Sequence, residues 1–198
     1  VTGRKILHRF TREEEFIASR TRHTFKFRIK LGAKKDGQFT AMFMEVKANT
    51  GPYGTHCLTV PMNSCSKSLP LYICDNVKFD VTTFYSNIPP TGAYQGYGAP
   101  QGAFALQMAI AELAEELGID NYELIQKNRV REGAVLEILK SLGEGREGTA
   151  QKIFTCGLKP ALEEGAEMIE WGKPVASDDS HIKIGKGVTI LEQGSGLP

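Results

Sequence analysis

The chain has 198 residues, enough for one sizeable domain or two small ones. Hydrophobic residues make up 41% and charged residues 24%, which excludes a disordered or fibrous chain. Lys and Arg number 24 against 23 Asp and Glu, a balance that leaves no electrostatic footprint for nucleic acid or an anionic membrane.

No apolar run approaches about 18 residues, so no transmembrane helix is expected. Cys57, Cys65, Cys74 and Cys156 form no CxxC pair, and no His stands at ligand spacing from another candidate. A zinc or iron–sulfur site built within the chain is not expected, and reduced thiols in a cytoplasmic protein are the economical reading.

In chain order, Lys5 to Phe10 is an apolar-rich run suited to a strand. Thr11 and Glu14 then form a capping box, with Glu13 to Glu15 as helix-start charges, and a short helix runs to about Ser19. Phe25, Phe27, Ile29 and Leu31 alternate with Lys26, Arg28 and Lys30, the pattern of a half-buried strand. With Arg20 and Arg22, these basic residues read as its wet face. Asp36-Gly37 supplies a hairpin turn, and Phe39 to Val46 returns.

Asn49 to Gly54 is a loop. Residues 61–73 read as a helix beginning at Pro61 and interrupted or ended by Pro70, and Val77 to Tyr85 reads as a strand. From Pro100 an amphipathic helix follows, with Ala103, Gln107, Ile110, Ala114 and Leu117 on one stripe and Gly118 as C-cap. Asp120 caps a second helix over Tyr122 to Val130. A third is expected from about Thr149 to Trp171, kinked at Pro160 with Trp171 in the core, followed by a last strand over Gly187 to Leu191. The expected fold class is α+β: a mixed sheet with a hairpin, plus packed helices.

Gly92 to Gly102 is the segment most specific in its chemistry. Gly96, Gly98 and Gly102 flank a strand-to-helix passage whose helix N-terminus presents free N–H groups to an anion or a metal-oxo oxygen. The spacing is GxGxxxG, not the dinucleotide fingerprint GxGxxG, and no repeating βαβ pattern accompanies it. On composition alone a second reading stands beside this one: a turn that only connects two elements, with Tyr94 and Tyr97 in the core. A phosphate site at the helix starting near Pro100 is a third. His8, His23, His56 and His181 have no paired acid or nucleophile in sequence and read as surface or structural residues.

The segment Thr91-Gly92-Ala93-Tyr94-Gln95-Gly96-Tyr97-Gly98-Ala99-Pro100-Gln101 resembles the aromatic-Arg-Gly-aromatic-Gly-Gly/Ala-Pro-Gln motif of molybdenum hydroxylases of the xanthine dehydrogenase/aldehyde oxidase type. Gly3-Arg4, Arg12-Glu13-Glu14, Arg22-His23-Thr24-Phe25-Lys26, Tyr72, Asn76 and Asn87 extend the resemblance. It covers residues 1–135 well and 136–198 more weakly.

The resemblance implies a fragment, 1–198, of a larger molybdopterin-binding domain, binding molybdenum–molybdopterin in the full-length protein. Iron–sulfur and FAD groups would sit on partner subunits or domains. The family oxidises a purine-like N-heterocycle or an aldehyde with water-derived oxygen.

Tyr94, Gln95, Gly96 and Gly98 would face the cofactor, the Gln95 N–H donating to an oxygen ligand of molybdenum. Tyr97 would stack on a flat small-molecule substrate, its hydroxyl free to donate to substrate or water. Asn63 falls, by an ungapped count from Tyr94, where xanthine enzymes of the family use an Arg to orient substrate, and it lacks that charge and fork geometry. Gln in place of the motif's Arg is closest to the selenium-dependent purine hydroxylase branch. The lack of a Cys in residues 92–102 disfavours the carbon monoxide dehydrogenase branch.

The family's catalytic Glu and its other cofactor segments would lie outside this stretch, so no catalytic residue and no protein metal ligand is assigned, and the fragment alone is expected to be inactive. The alternative is a non-catalytic cofactor-insertion or subunit-docking module of the same fold.

Overall fold

A computed structural model of the chain describes residues 3–141, 149–175, 177 and 179–192. The terminal stretches Val1–Thr2 and 193–198 lie outside the described residues.

The expected hairpin is the centre of the fold. β1 (Thr24–Ala33) and β2 (Phe39–Asn49) pair antiparallel around the Asp36-Gly37 turn, and β3 (Val77–Phe84) pairs parallel to β2 on its other side. Register places like with like. Phe27, Val46 and Val81 form one cross-strand row, and Ile29, Met44 and Phe79 the next. Lys26, Arg28 and Lys30 point the other way and are exposed, as their alternation requires.

The apolar face carries helices. α2 (Thr59–Ser66) and a 3-10 turn (Leu69–Leu71) make the crossover from β2 to β3, and α3 (Ala99–Leu117) lies against α2 and β1. Leu106, Ile110 and Ala114 of α3 join Met42, Met44, Val46 and Cys65 in the core. Each such large side chain stabilises the fold by about 1.5–3 kcal/mol relative to exposure.

Gly118 ends α3 in the left-handed conformation, and Asp120 caps α4 (Asn121–Asn128) through the amides of Tyr122 and Glu123. Asn128 ties α4 to the sheet, its Oδ1 accepting from Phe39 N and its Nδ2 donating to Gly37 O. At the N-terminus, α1 (Arg12–Ala18) starts with both hydrogen bonds of the Thr11–Glu14 capping box.

Six expectations change. Lys5 to Phe10 is exposed coil, with Leu7 89% exposed, because no strand stands beside it to complete a ladder among the described residues. The 61–73 helix is two pieces that start at Thr59, with Lys67 and Ser68 between α2 and the 3-10 turn. The third long helix is only α5 (Leu158–Met168), since Gln151–Lys152 (β5) pairs with Val135–Leu136 (β4) instead. Pro160 lies in the first turn of α5, where a missing N–H breaks no helical bond, so it starts the helix and does not kink it.

Finally, Gly187 to Leu191 forms no ladder. Side chains hold it: Gln107 Nε2 donates to Ile190 O (3.1 Å) and Asn121 Nδ2 to Val188 O (3.4 Å). Trp171 is half-buried and donates from Nε1 to the Asp120 carboxylate, outside the core.

Helices α2 and α3 meet at glycine. A Cβ on Gly98 or Gly102 would overlap the carbonyl oxygens of Val60 and Ser64. Gly102→Ala is therefore expected to cost about 1–3 kcal/mol through forced separation of the helices. Gly165→Ala, with open space around its Cα, should be neutral or stabilising. Thermal melts of the two variants check the contrast.

Candidate functional site around the Gly96–Gly98 turn

Parallel pairing of β2 and β3 carries their C-terminal ends to the same edge of the sheet, and the two following loops are laced together there. Thr50 N donates to Phe84 O (3.0 Å), Ser86 Oγ to Asn49 Oδ1 (2.8 Å), and Thr55 Oγ1 to Thr91 O (2.8 Å). Antiparallel β1 brings its own start to this edge: Thr21 N donates to Pro90 O and Gly92 N to Thr21 O. Residues 20–23, 54–59 and 91–98 thus converge.

The turn itself is strained in a defined way. Gly96, Tyr97 and Gly98 all have positive φ, at 83°, 47° and 95°. For Gly that costs little; for Tyr97 the left-handed region is uncommon. Tyr97 N is spent on Tyr94 O (2.7 Å) and Ala99 N on Gly96 O (3.0 Å). Among the described residues, the amides of Gln95, Gly96 and Gly98 donate to no protein acceptor. They stand immediately before the 19-residue α3, and Gln95 is exposed. These open donors at a helix N-terminus suit a group rich in oxygen and negative charge.

The glycines have a different steric role from the one expected. A side chain on Gly96 would overlap the Pro100 ring, and Gly98 faces an α2 carbonyl. The close approach they permit is of the protein to itself, and it leaves Gly96 half-buried and Gly98 buried.

Around the turn, the Arg22 guanidinium lies 4.6 Å from the Tyr94 ring centroid and Nη1 donates to Gln101 Oε1 (3.3 Å). Arg22 therefore belongs to this site more than to the wet face of β1. Gln101 Nε2 and both ring nitrogens of His23 are buried without a hydrogen-bond partner among the described residues. Such orphaned groups call for explanation.

Tyr97 lies between two residues that sequence spacing did not single out. His56 Nδ1 is 2.7 Å and Thr59 Oγ1 2.8 Å from its hydroxyl, and the His56 and Tyr97 rings meet edge to face at 5.6 Å. Asn63, one turn along α2 from Thr59, is only 4% exposed and its Oδ1 accepts from Ser66 Oγ (2.9 Å). His56 lies 41 residues from Tyr97 in the chain, so no local motif could reveal the pair.

Other chemistry is not assembled. No group of three His, Cys, Asp or Glu suited to a metal ion occurs among the described residues, nor a helix long and apolar enough to cross a membrane. Cys65 is buried beside the Met44 thioether, and burial pushes its thiol up to about 12, which makes it inert.

A family profile described as the molybdopterin cofactor-binding domain matches residues 1–129, a span that includes the strand–turn–helix passage. The chain belongs to this family. It is 58% identical over 200 residues to the probable hypoxanthine oxidase XdhD of Escherichia coli strain K12, a match spanning 100% of this chain and 21% of that protein. It is 33% identical over 188 residues to the putative xanthine dehydrogenase molybdenum-binding subunit XdhA of the same strain, covering 93% of this chain and 24% of the relative. Among solved structures, the aldehyde oxidoreductase of Desulfovibrio gigas superposes with a TM-score of 0.68 at 25% identity, over 82% of this chain and 17% of that one. The chain thus spans about a fifth to a quarter of the length of these curated relatives.

Burial, then the neighbouring His56, holds His23 below its ordinary value of 6.5. The unfolded chain takes up this proton more readily than the folded one, so folding is weakened as pH falls through about 6.5, until the lowered folded value is passed. The melting temperature should therefore drop between about pH 7 and pH 5. In His23→Asn that slope should flatten; an unchanged slope would assign it to other groups.

Proposed function

We propose that this chain forms one wall of the active-site funnel of a molybdenum hydroxylase that oxidises a purine-like N-heterocycle or an aldehyde with water-derived oxygen. The observation carrying this reading is the set of amides without a protein acceptor among the described residues, those of exposed Gln95, half-buried Gly96 and buried Gly98, placed before α3 and beside the Tyr97 ring. Similarity to a protein named a probable hypoxanthine oxidase supports a purine ahead of an aldehyde.

The residues present fit the molybdenum–molybdopterin group. When bound, that group supplies the two-electron oxidation, with iron–sulfur and FAD parts on partner subunits or domains carrying electrons onward. The word subunit in the names of relatives supports such partners.

The chain's own residues bind and orient. Gln95, Gly96 and Gly98 offer fixed N–H dipoles to the cofactor's oxygen-bearing side, which need no reorganisation to act. Tyr94, stacked under Arg22, backs this edge. Tyr97 offers a ring for a flat substrate at low entropy cost. Asn63 would contribute through its amide nitrogen, since its oxygen is engaged by Ser66. Among the described residues no carboxylate hydrogen-bonds to His56, Thr59 or Tyr97, so the proton-accepting base is supplied from outside this stretch.

The test is on the full-length protein that contains this chain, with molybdenum measured by mass spectrometry and turnover of hypoxanthine and of an aromatic aldehyde followed with a dye acceptor. Gln95→Ala should keep molybdenum occupancy, because its contact is through the backbone. Tyr97→Ala should raise KM roughly fivefold to tenfold, the value of one aromatic stack. A full-length protein that purifies without molybdenum would end this reading.

A further inference from the structure

Two backbone positions at the site are held in the left-handed region without being glycine: His56 at φ 55° and Tyr97 at φ 47°. Their loops are pinned to each other by Thr55 Oγ1 to Thr91 O, and Gly54 sits against the Tyr85 ring, so the 54–59 turn has little freedom to drift from the 91–98 turn. On this frame the Tyr97 hydroxyl meets His56 Nδ1 at 2.7 Å and Thr59 Oγ1 at 2.8 Å. Strained conformations of this kind persist where surrounding contacts over-determine them.

We propose that His56 and Thr59 are positioning residues that clamp the Tyr97 phenol and so fix the plane on which the substrate lies. This rests on the reading of Tyr97 as the substrate-facing ring. A phenol has one hydrogen to donate. With Nδ1 unprotonated, the chain of donation runs from Thr59 O–H to the Tyr97 oxygen and from Tyr97 O–H to His56, and the tyrosine's only donor is consumed. The hydroxyl is then not free to donate to a substrate group, and the ring face alone contributes to recognition. His56 and Thr59 act through Tyr97 and touch no reacting atom. A substrate edge recognised by hydrogen bonds must find its donors elsewhere, while a flat aromatic face finds a ring already held in place.

The variants follow from the geometry. His56→Gly deletes the imidazole and relieves the positive φ. His56→Asn keeps an acceptor near the Nδ1 position and tolerates that φ. Thr59→Val removes one hydroxyl at constant shape, and Tyr97→Phe removes the shared partner but keeps the ring.

In the full-length protein, His56→Gly and Thr59→Val should each raise KM about two- to tenfold with kcat nearly unchanged, the cost of freeing one ordered side chain. His56→Asn should restore KM. In a Tyr97→Phe background neither change should have a further effect, because the hydroxyl through which they act is gone. Equal effects of His56→Gly and Thr59→Val with and without that hydroxyl, or no effect of either in the parent, would overturn the proposal. Tyr97→Ala separates the two levels: an unchanged KM there refutes the substrate-facing role of Tyr97, whereas a raised KM without coupling to His56 and Thr59 refutes only the clamp.

Discussion

The parallel pairing of β2 with β3 is the constraint on which the site depends. In an all-antiparallel meander the loops after the two strands would leave from opposite ends. Here the registers Met42↔Val77 through Asn49↔Phe84 bring both exits to one edge, and the Thr50, Ser86 and Thr91 hydrogen bonds bind them within a few residues. A parallel neighbour requires a crossover, and α2 is that crossover. The same element therefore allows the sheet to be mixed, covers its apolar face and supplies Thr59 to the site.

A second consequence concerns glycine. Glycines ahead of a helix are readily taken as space left for a ligand. At Gly98 and Gly102 the space is filled by carbonyl oxygens of α2, so their first task is to let α3 approach the crossover helix. The binding role proposed for the turn rests on its amides. Positive φ at 96 to 98 withdraws Gln95, Gly96 and Gly98 from hydrogen bonding while Tyr97 and Ala99 remain paired.

Much of the secondary structure was legible because its causes are local. The Phe25–Leu31 alternation, the Asp36-Gly37 turn, the Thr11–Glu14 box, the α3 stripe and the Gly118 and Asp120 caps each act within a few residues, and each appears as read. The failures are equally physical. Lys5 to Phe10 and Gly187 to Leu191 carry strand-like patterns without a ladder partner, and a strand is a property of two segments. The Thr149–Trp171 helix was cut short because Lys152 and Gln151 found partners in Val135 and Leu136.

The sequence by itself determined the family, through a Gly-rich motif whose residue types and order survive without coordinates, and it determined where the hairpin and the long helix lie. Only the tertiary structure decided which side chains share the site. His23, the turn holding His56 and Thr59, and Tyr97 come from three segments with no common spacing, brought together by strand order and the direction of a crossover. Those are long-range pairings whose loop-closure cost and burial gain are summed over the whole domain, and no local window of sequence contains them.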